Sequence, residues 1–334
     1  MTSTSSQALK LQGTGRAGSL GKGVLIVLAA GLILFVGLGL QSTFWLNLAA
    51  YTCGFALFAL SVNIMLGGVG EVPLGQSMFF GIGAYAPAVM INNFGLPFEF
   101  GVLVGMVIAA AAATLIGGVT LRLTGAYFAI VSWGMSGVAM VTVHNIEFTG
   151  GALGLFGFSR LAVGPFDLSH PRTYFFVTSI ILLLVLILLA HIRSSRFGHA
   201  LESIRQSRHL AQSLGVNVFR ERLKAFVLSA PIAALAGSLC LPFTQIVTPE
   251  SMSVLRSVDA LLAVLIGGTG LLYGPVIGSI IFTVVPQFLN FDANVKVLVF
   301  SLLIILIMMV APGGLHQLIK AAGAALRCMS ESRR

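Results

Sequence analysis

The chain has 334 residues, of which 57% are hydrophobic and only 9% are charged, and its mean hydropathy is +1.00. Soluble globular domains carry about 25% charged residues, so this chain has too few charges to cover a surface in contact with water. The composition excludes an ordinary soluble protein. The formal net charge of +9 does not indicate a nucleic-acid partner, because the basic residues lie between apolar segments rather than on a polar domain.

Ten apolar segments follow one another along the chain. A hydrocarbon layer of about 30 Å takes about 20 apolar residues per helix. We therefore predict an all-α transmembrane bundle of about ten segments. The third, eighth and ninth segments are short or interrupted by Gly and Pro, so some helices should be broken or re-entrant. The segments are 24–40, 44–66, 72–92, 98–121, 126–146, 173–190, 225–247, 256–270, 275–290 and 295–311.

The basic residues predict the orientation of this bundle. With the N-terminus inside and ten crossings, only four of the 19 Lys and Arg residues fall outside, namely Arg160, Arg172, Arg256 and Lys296. This asymmetry obeys the positive-inside rule. We expect a multi-pass protein of the cytoplasmic membrane, with cytoplasmic tails at 1–23 and 312–334 and a transmembrane domain at 24–311. The first segment should be an anchor, since no small-x-small cleavage signature follows it.

The sequence offers no pattern typical of an enzyme or of a resident cofactor. Cys53, Cys240 and Cys328 are odd in number and have no paired spacing, so neither a disulfide framework nor a metal site is expected. No mid-span nucleophile and base have a specific spacing. No Gly-x-x-x-x-Gly-Lys-Ser/Thr loop occurs, so any ATP and Mg²⁺ should be bound by another chain.

Glycines and prolines interrupt several segments. The pair Gly101 and Gly105 and the series Gly270, Gly274 and Gly278 predict close helix packing. Prolines within apolar segments free backbone carbonyls, which is typical both of ordinary kinks and of broken helices along transport pathways. These prolines are Pro73, Pro87, Pro231, Pro242, Pro275 and Pro286.

The longest predicted cytoplasmic loop, 191–224, contains one short amphipathic helix by its periodicity. Gly215 is a plausible stop for this helix. The helix either lies on anionic lipid or docks a cytoplasmic partner. Its apolar positions are Phe197, Ala200, Leu201, Ile204, Ala211 and Leu214, and the polar positions opposite them are Glu202, Arg205, Gln206, His209 and Gln212.

Seven stretches in order resemble the permease subunits of bacterial ABC importers for branched-chain amino acids, specifically the longer of two paralogous permeases. Among them are GGVGEVPLGQSMFFGIGAY at 67–85, TGGALGL at 149–155 and IGGTGLLYGPVIG at 266–278. The others are LRLTGAYFAIV at 121–131, SRFGHAL at 195–201, SLGVN at 213–217 and KAFVLSA at 224–230.

The resemblance implies three kinds of protein partner: a second paralogous permease, two cytosolic ATPases and an extracytoplasmic substrate-binding protein. The apolar composition adds membrane lipid as a further partner. The resemblance also implies that the loop carries a coupling helix seated in an ATPase. The residues assigned to this coupling are Phe197, Gly198, Ala200, Leu201, Glu202, Ile204, Arg205, Gln206, Leu214 and Gly215.

The sequence specifies the substrate less well than it specifies the fold. Pro73, Ala152 and Asp259 depart from the residues usual in the family, and relatives include permeases for urea and short amides. A self-sufficient secondary transporter or channel is a further alternative, although it would need membrane-embedded acids.

Polar candidates for the substrate pathway are sparse, and packing is an alternative role for each. Asp259 is costly in an apolar segment unless it pairs, and Arg256 is its expected partner. Glu71 and Glu147 lie near segment ends. The pathway candidates are Gln76, Phe80, Tyr85, Thr149, Gly150, Gly151 and Asp259.

Overall fold

The structure is a computed structural model that describes residues 42–158, 162–163, 166–288, 295, 301 and 302. Each of the second to ninth predicted segments contains a helix. The first segment and both predicted tails lie outside the described residues, and the tenth segment is described only at 295, 301 and 302, which are helical. The predicted all-α class is confirmed.

Ten α-helices lie within the described residues. They are α1 (Thr43–Asn63), α2 (Gln76–Phe94), α3 (Phe98–Thr120), α4 (Ala126–Asn145), α5 (Pro171–Arg193), α6 (Arg196–Gln206), α7 (Arg208–Ser213), α8 (Val218–Thr244), α9 (Val254–Gly267) and α10 (Gly274–Phe288).

Short irregular elements join these helices. A π-helical turn, Ile64–Val69, continues α1, and 3₁₀ turns lie at Glu147–Thr149, Gly151–Leu153 and Pro249–Met252. Strand β1 (Leu155–Phe156) pairs antiparallel with β4 (Ile246–Val247), with Leu155 opposite Val247. Strand β2 (Ala162–Val163) pairs antiparallel with β3 (Phe166–Asp167).

Helices α1 and α8 form the centre of the bundle. Helix α1 is apolar on all sides and packs against α5, α8, α9 and α10, while α8 packs against α1, α2 and α3. A helix that is hydrophobic all round is expected to be buried, as α1 is, while α8 is largely buried over its apolar part from Ala225 to Pro242. The outer faces of α3 and α4 instead expose large apolar side chains, among them Leu103, Leu115 and Trp133.

Small residues set the closest helix contacts. A Cβ on Gly83 of α2 would overlap the carbonyl oxygen of Ala234 in α8, and a Cβ on Gly237 would overlap that of Phe80. Helix α3 turns a row of small buried residues toward α2 and α8, which confirms the packing role predicted for Gly101 and Gly105. The row consists of Gly101, Gly105, Ala109, Ala113 and Gly117.

Helix α2 begins four residues later than the predicted third segment. Gly70, at φ +83°, ends the π-helical turn, and Pro73 lacks an N–H and disfavours helical geometry at the residue before it. Residues 70–75 therefore form a non-helical, largely buried connection. This connection places Glu71 inside the protein.

The eighth and ninth segments form a hairpin of short helices. Helix α9 has 14 residues and is about 21 Å long, less than the hydrocarbon thickness of about 30 Å, and 15 residues of α10 are described. A Cβ on Gly278 of α10 would overlap the carbonyl oxygen of Ala263 in α9, so the two helices pack closely. Among the described residues, five helices are long and apolar enough to cross a membrane: α1 with its π-helical turn, α3, α4, α5 and α8.

The two ends of the bundle differ. We call the end formed by 191–224 the basic end, because it carries arginines of α5, α6, α7 and α8 together with Lys224. Helices α1 and α5 end there, whereas α2, α4 and α8 begin there. The paired strands β1 and β4 lie at the opposite end.

Candidate functional site

The predicted amphipathic helix of the loop is two helices. Ser195 caps α6 by accepting a hydrogen bond from the Gly198 N–H at 3.4 Å, and Ser207 caps α7 by accepting one from the Leu210 N–H at 3.4 Å. Ser207 has extended backbone angles, so it ends α6 and starts α7. The predicted stop is observed: α7 ends at Ser213, and Gly215 adopts φ +83°.

The apolar face of α6 and α7 packs against the protein's own bundle. Leu201, Ile204 and Ala211 are buried, and Phe197 and Ala200 are partly buried. Gly198 is held close to the backbone of Arg193, where a Cβ would clash. Leu214, which was predicted on the apolar face, is instead exposed, because it follows the end of α7. Other exposed side chains of this segment include Glu202, Arg205, Gln206, His209 and Leu210.

A fully buried carboxylate anchors this segment. Oε1 of Glu71 forms ion pairs with Arg208 of α7 and with Arg222 of α8, the latter at 2.8 Å. Its Oε2 accepts a hydrogen bond from the Gly125 N–H at 2.9 Å, at the start of α4. Arg222 also donates to the carbonyl oxygens of Leu121 and Leu123, each at 2.9 Å.

We call Glu71, Arg208, Arg222 and Gly125 the Glu71 hub. Buried charges are tolerated when they are paired and hydrogen-bonded, and each charge of the hub has a charged partner. The hub joins the connection before α2 to α4, α7 and α8. Sequence reasoning noted Glu71 only as an acid near a segment end, because its partners lie 137 and 151 residues away along the chain.

Gln76 and Phe80 lie on the first turns of α2, inside the bundle. Gln76 Nε2 donates to Ser229 Oγ at 3.1 Å and to Ser61 Oγ at 3.4 Å, so the side chain joins α2 to α8 and α1. The Gln76 Oε1 atom has no hydrogen-bond partner among the described residues. Phe80 is buried and packs against the Phe58 ring.

Arg256 does not pair with Asp259, contrary to the sequence-based expectation. No ion pair of 4.0 Å or less joins them among the described residues. The Arg256 guanidinium instead donates to Tyr51 Oη at 3.1 Å and lies 5.4 Å from the centre of the Phe80 ring. An aromatic face and a phenol oxygen are therefore the direct contacts of this cation. Asp259 is half-buried on α9.

The remaining pathway candidates are not brought together. Tyr85 is buried in α2, and its hydroxyl has no hydrogen-bond partner in the described part of the chain. Thr149, Gly150 and Gly151 follow α4, whose 20 residues place them about 30 Å from the Glu71 hub. There Thr149 Oγ1 donates to the carbonyl oxygens of Val143 and Ile146, each at 2.8 Å, and both glycines have positive φ.

A cleft opens beside α6 at the basic end. One wall is made by α6, and the other walls are made by the ends of α1 and α5 and by the turn between α9 and α10. Within the described ranges, no three His, Cys, Asp or Glu side chains cluster as a metal site. Its lining includes Asn63, Gly67, Arg205, Gly270 and Leu272.

Residues 44–311 match the family model described as "Branched-chain amino acid transport system / permease component". The chain is 31% identical over 293 residues to the high-affinity branched-chain amino acid transport permease LivM of Escherichia coli K12, covering 80% of this chain and 69% of that protein. Identity to LivM of Salmonella typhimurium LT2 is 28% over the same shares.

A paralogous permease is also similar. The LivH permease of Escherichia coli K12 is 24% identical over 78% of this chain and 90% of its own length. No solved structure matches this chain. The match of the family model over most of the sequence agrees with the helical bundle and its apolar spans. The chain belongs to the family of branched-chain amino acid transport permeases.

Proposed function

We propose that this chain is one of two paralogous permease subunits of an ATP-driven importer for branched-chain or related amino acids. Two ATPases would dock at the basic end in the cytoplasm, and an extracytoplasmic binding protein would deliver substrate at the opposite end. The observation that carries the proposal is the α6–α7 segment, whose inner face is fixed to the transmembrane helices while its outer face, mostly polar with the exposed Leu210 and Leu214, is left open.

The seating of α6 and α7 supports transmission of force to the bundle. An amphipathic helix lying on lipid would turn its apolar face to the bilayer. Here Leu201 and Ile204 face the bundle, with 7% and 1% of their surface exposed, and Arg208 is tied to the buried Glu71. A partner that pushes on the outer face would therefore push on α2, α4 and α8 through the Glu71 hub.

Proteoliposomes test the proposal. They would contain this chain, its paralogous permease and the two ATPases, with the binding protein and radiolabelled leucine outside. We expect leucine uptake only when ATP is present inside, where the two ATPases can hydrolyse it. This chain has no ATP-binding loop of its own and needs those subunits for energy. Gradient-driven uptake by the two permeases without ATPases would contradict the proposal and favour a secondary transporter. ATP-dependent uptake of urea or acetamide instead of leucine would support the assignment as an importer but contradict the assignment of the substrate.

The same preparation tests the docking face. Glu202 is exposed on α6, so Glu202→Lys should weaken co-purification of the ATPases without changing insertion. Glu250→Lys, an exposed acid in the 3₁₀ turn after β4, is the matched control and should retain the ATPases. Equal retention by the two variants would remove Glu202 from the docking face.

A further inference from the structure

The tip of the α9–α10 hairpin is clamped to the end of α1 by one side-chain amide. Asn63, the last residue of α1, is largely buried. Its Nδ2 donates to the Leu271 carbonyl oxygen at 3.0 Å, and its Oδ1 accepts from the Gly270 N–H at 3.2 Å. Both functional atoms of the amide are thus used to hold the backbone of the hairpin tip.

The π-helical turn that follows Asn63 is hydrogen-bonded to α6. Arg205 Nη1 donates to the carbonyl oxygen of Gly67 in the π-helical turn at 2.8 Å. A Cβ on Gly67 would overlap Asn63 Oδ1 and the Gly270 backbone, and a Cβ on Gly270 would overlap Arg205 Nη1. These four residues therefore touch one another with no room for a side chain between them. We call Asn63, Gly67, Arg205 and Gly270 the hairpin tie.

We infer that the hairpin tie transmits a displacement of α6 to the α9–α10 hairpin during transport, with Arg205 and Asn63 as positioning residues. This inference rests on the proposed function. Arg205 is then an internal link rather than a contact with the ATPase, although its side chain is exposed. Coupling between distant sites is carried by contiguous hydrogen bonds and packed elements, and the tie is such a contiguous connection.

The elements on either side of the tie fit this role. The π-helical turn is a feature that recurs at functional sites, because it breaks the regular bonding of a helix. On the far side, α9 bonds to the interior of the bundle through Ser257 Oγ, which accepts from the Ser77 N–H at 2.8 Å. Arg256 of α9 lies over Phe80. A shift of the hairpin therefore reaches the early part of α2.

The alternative is that the tie is a static staple. A staple would stabilise the hairpin equally in every state, whereas a transmitting link makes the hairpin respond to nucleotide. The two are distinguished by a state-dependent measurement at the tip. Leu272 lines the cleft beside the tie and is partly exposed, so a cysteine there can report on the tip.

The experiment uses the assembled complex of the two permeases and two ATPases. Leu272→Cys is introduced into a chain in which Cys53, Cys240 and Cys328 are alanine, and its rate of maleimide labelling is measured without nucleotide and with ATP and vanadate. We expect the rate to differ severalfold between the two states. Arg205→Met and Asn63→Leu should bring the ratio of rates close to one, and each should lower leucine uptake per ATP hydrolysed about tenfold.

Matched controls separate the tie from general damage. Arg196→Met removes another exposed arginine of α6, and Asn93→Leu removes an amide that donates to the Phe148 carbonyl oxygen at 3.1 Å at the opposite end. Both should keep the wild-type ratio. The double variant Arg205→Met/Asn63→Leu should be no worse than either single variant, because both break one link. If Asn63→Leu does not fold, the ratio of labelling rates in Arg205→Met alone tests the inference.

Two results would overturn the inference while leaving the proposed function intact. One is an unchanged labelling rate in the two nucleotide states of the parent complex. The other is a wild-type ratio in Arg205→Met with the ATPases still bound. Failure of the ATPases to bind even the parent chain would instead overturn the proposed function. The two failures are therefore distinguishable.

Discussion

Glu71 is the residue on which the basic end depends, because its carboxylate is fully buried between two guanidinium groups. We predict that Glu71→Gln destabilises the chain by about 3–5 kcal/mol, since it leaves buried positive charge without a counter-charge. Thermal unfolding of the detergent-solubilised protein measures this change as a lower Tm. The matched control is Glu221→Gln, which breaks the Glu221–Lys224 pair, where 62% of the lysine side chain is exposed. An equal Tm for the two variants would show that the hub contributes nothing.

At this scale, sequence reasoning found residue types but not partners. It identified Asp259 as an acid that needs compensation and assigned Arg256 because the two are three residues apart. In the structure, Arg256 instead contacts Tyr51 of α1 and Phe80 of α2. Periodicity reports which residues share a helix face, whereas the Glu71 hub and the hairpin tie join residues more than a hundred positions apart. Such partners are set by packing.

At the scale of elements, the contact between α2 and α8 depends on the absence of side chains. We predict that Gly83→Ala destabilises the protein by about 1–3 kcal/mol, because its Cβ would overlap the Ala234 carbonyl oxygen and force the helices apart. Gly134→Ala in α4 is the matched control, since no atom lies within 4 Å of the Cβ it would add. Alanine is the better helix former, so the control should be neutral or slightly stabilising. The fraction of protein that stays monodisperse after heating measures the stability of both variants. A lower fraction for Gly134→Ala but not for Gly83→Ala would contradict the packing argument.

The helices themselves were largely predictable from the sequence, because a run of apolar residues in a membrane has few structural choices. The residues at which the helices begin and end were less predictable. The start of α2 was displaced by the non-helical connection that contains Gly70 and Pro73, and the break between α6 and α7 at Ser207 was missed. A serine cap inside a polar segment leaves the 3.6-residue periodicity almost unchanged. The hydrophobic pattern therefore carried no sign of the break.

At the scale of the whole molecule, α4 is held more weakly than the central helices. Only Phe128, Ser132 and Ser136 of α4 are buried, whereas α1 is buried over most of its length. We predict that, in detergent, backbone amides of α4 exchange with deuterium faster than those of α1, because helices with few packed contacts open more readily. Mass spectrometry of peptic fragments measures the difference. Adding the paralogous permease should slow α4 if that subunit covers it, and equal exchange in α1 and α4 of the isolated chain would contradict the prediction.

The segment that leads from β4 into α9 is only partly α-helical. From β4 at the opposite end, residues 248–253 run inward until the Met252 carbonyl oxygen accepts from Ser77 Oγ at 3.0 Å, and α9 covers the remaining distance to the hairpin tip. Peptide groups outside a helix cannot face hydrocarbon, because acyl chains offer them no hydrogen bonds. The Pro249–Met252 turn packs against α2 and α4, so the bundle itself shelters these peptide groups from the acyl chains. Acyl chains can instead contact the large apolar side chains exposed on the outer faces of α3, α4 and α5, which carry no free backbone groups.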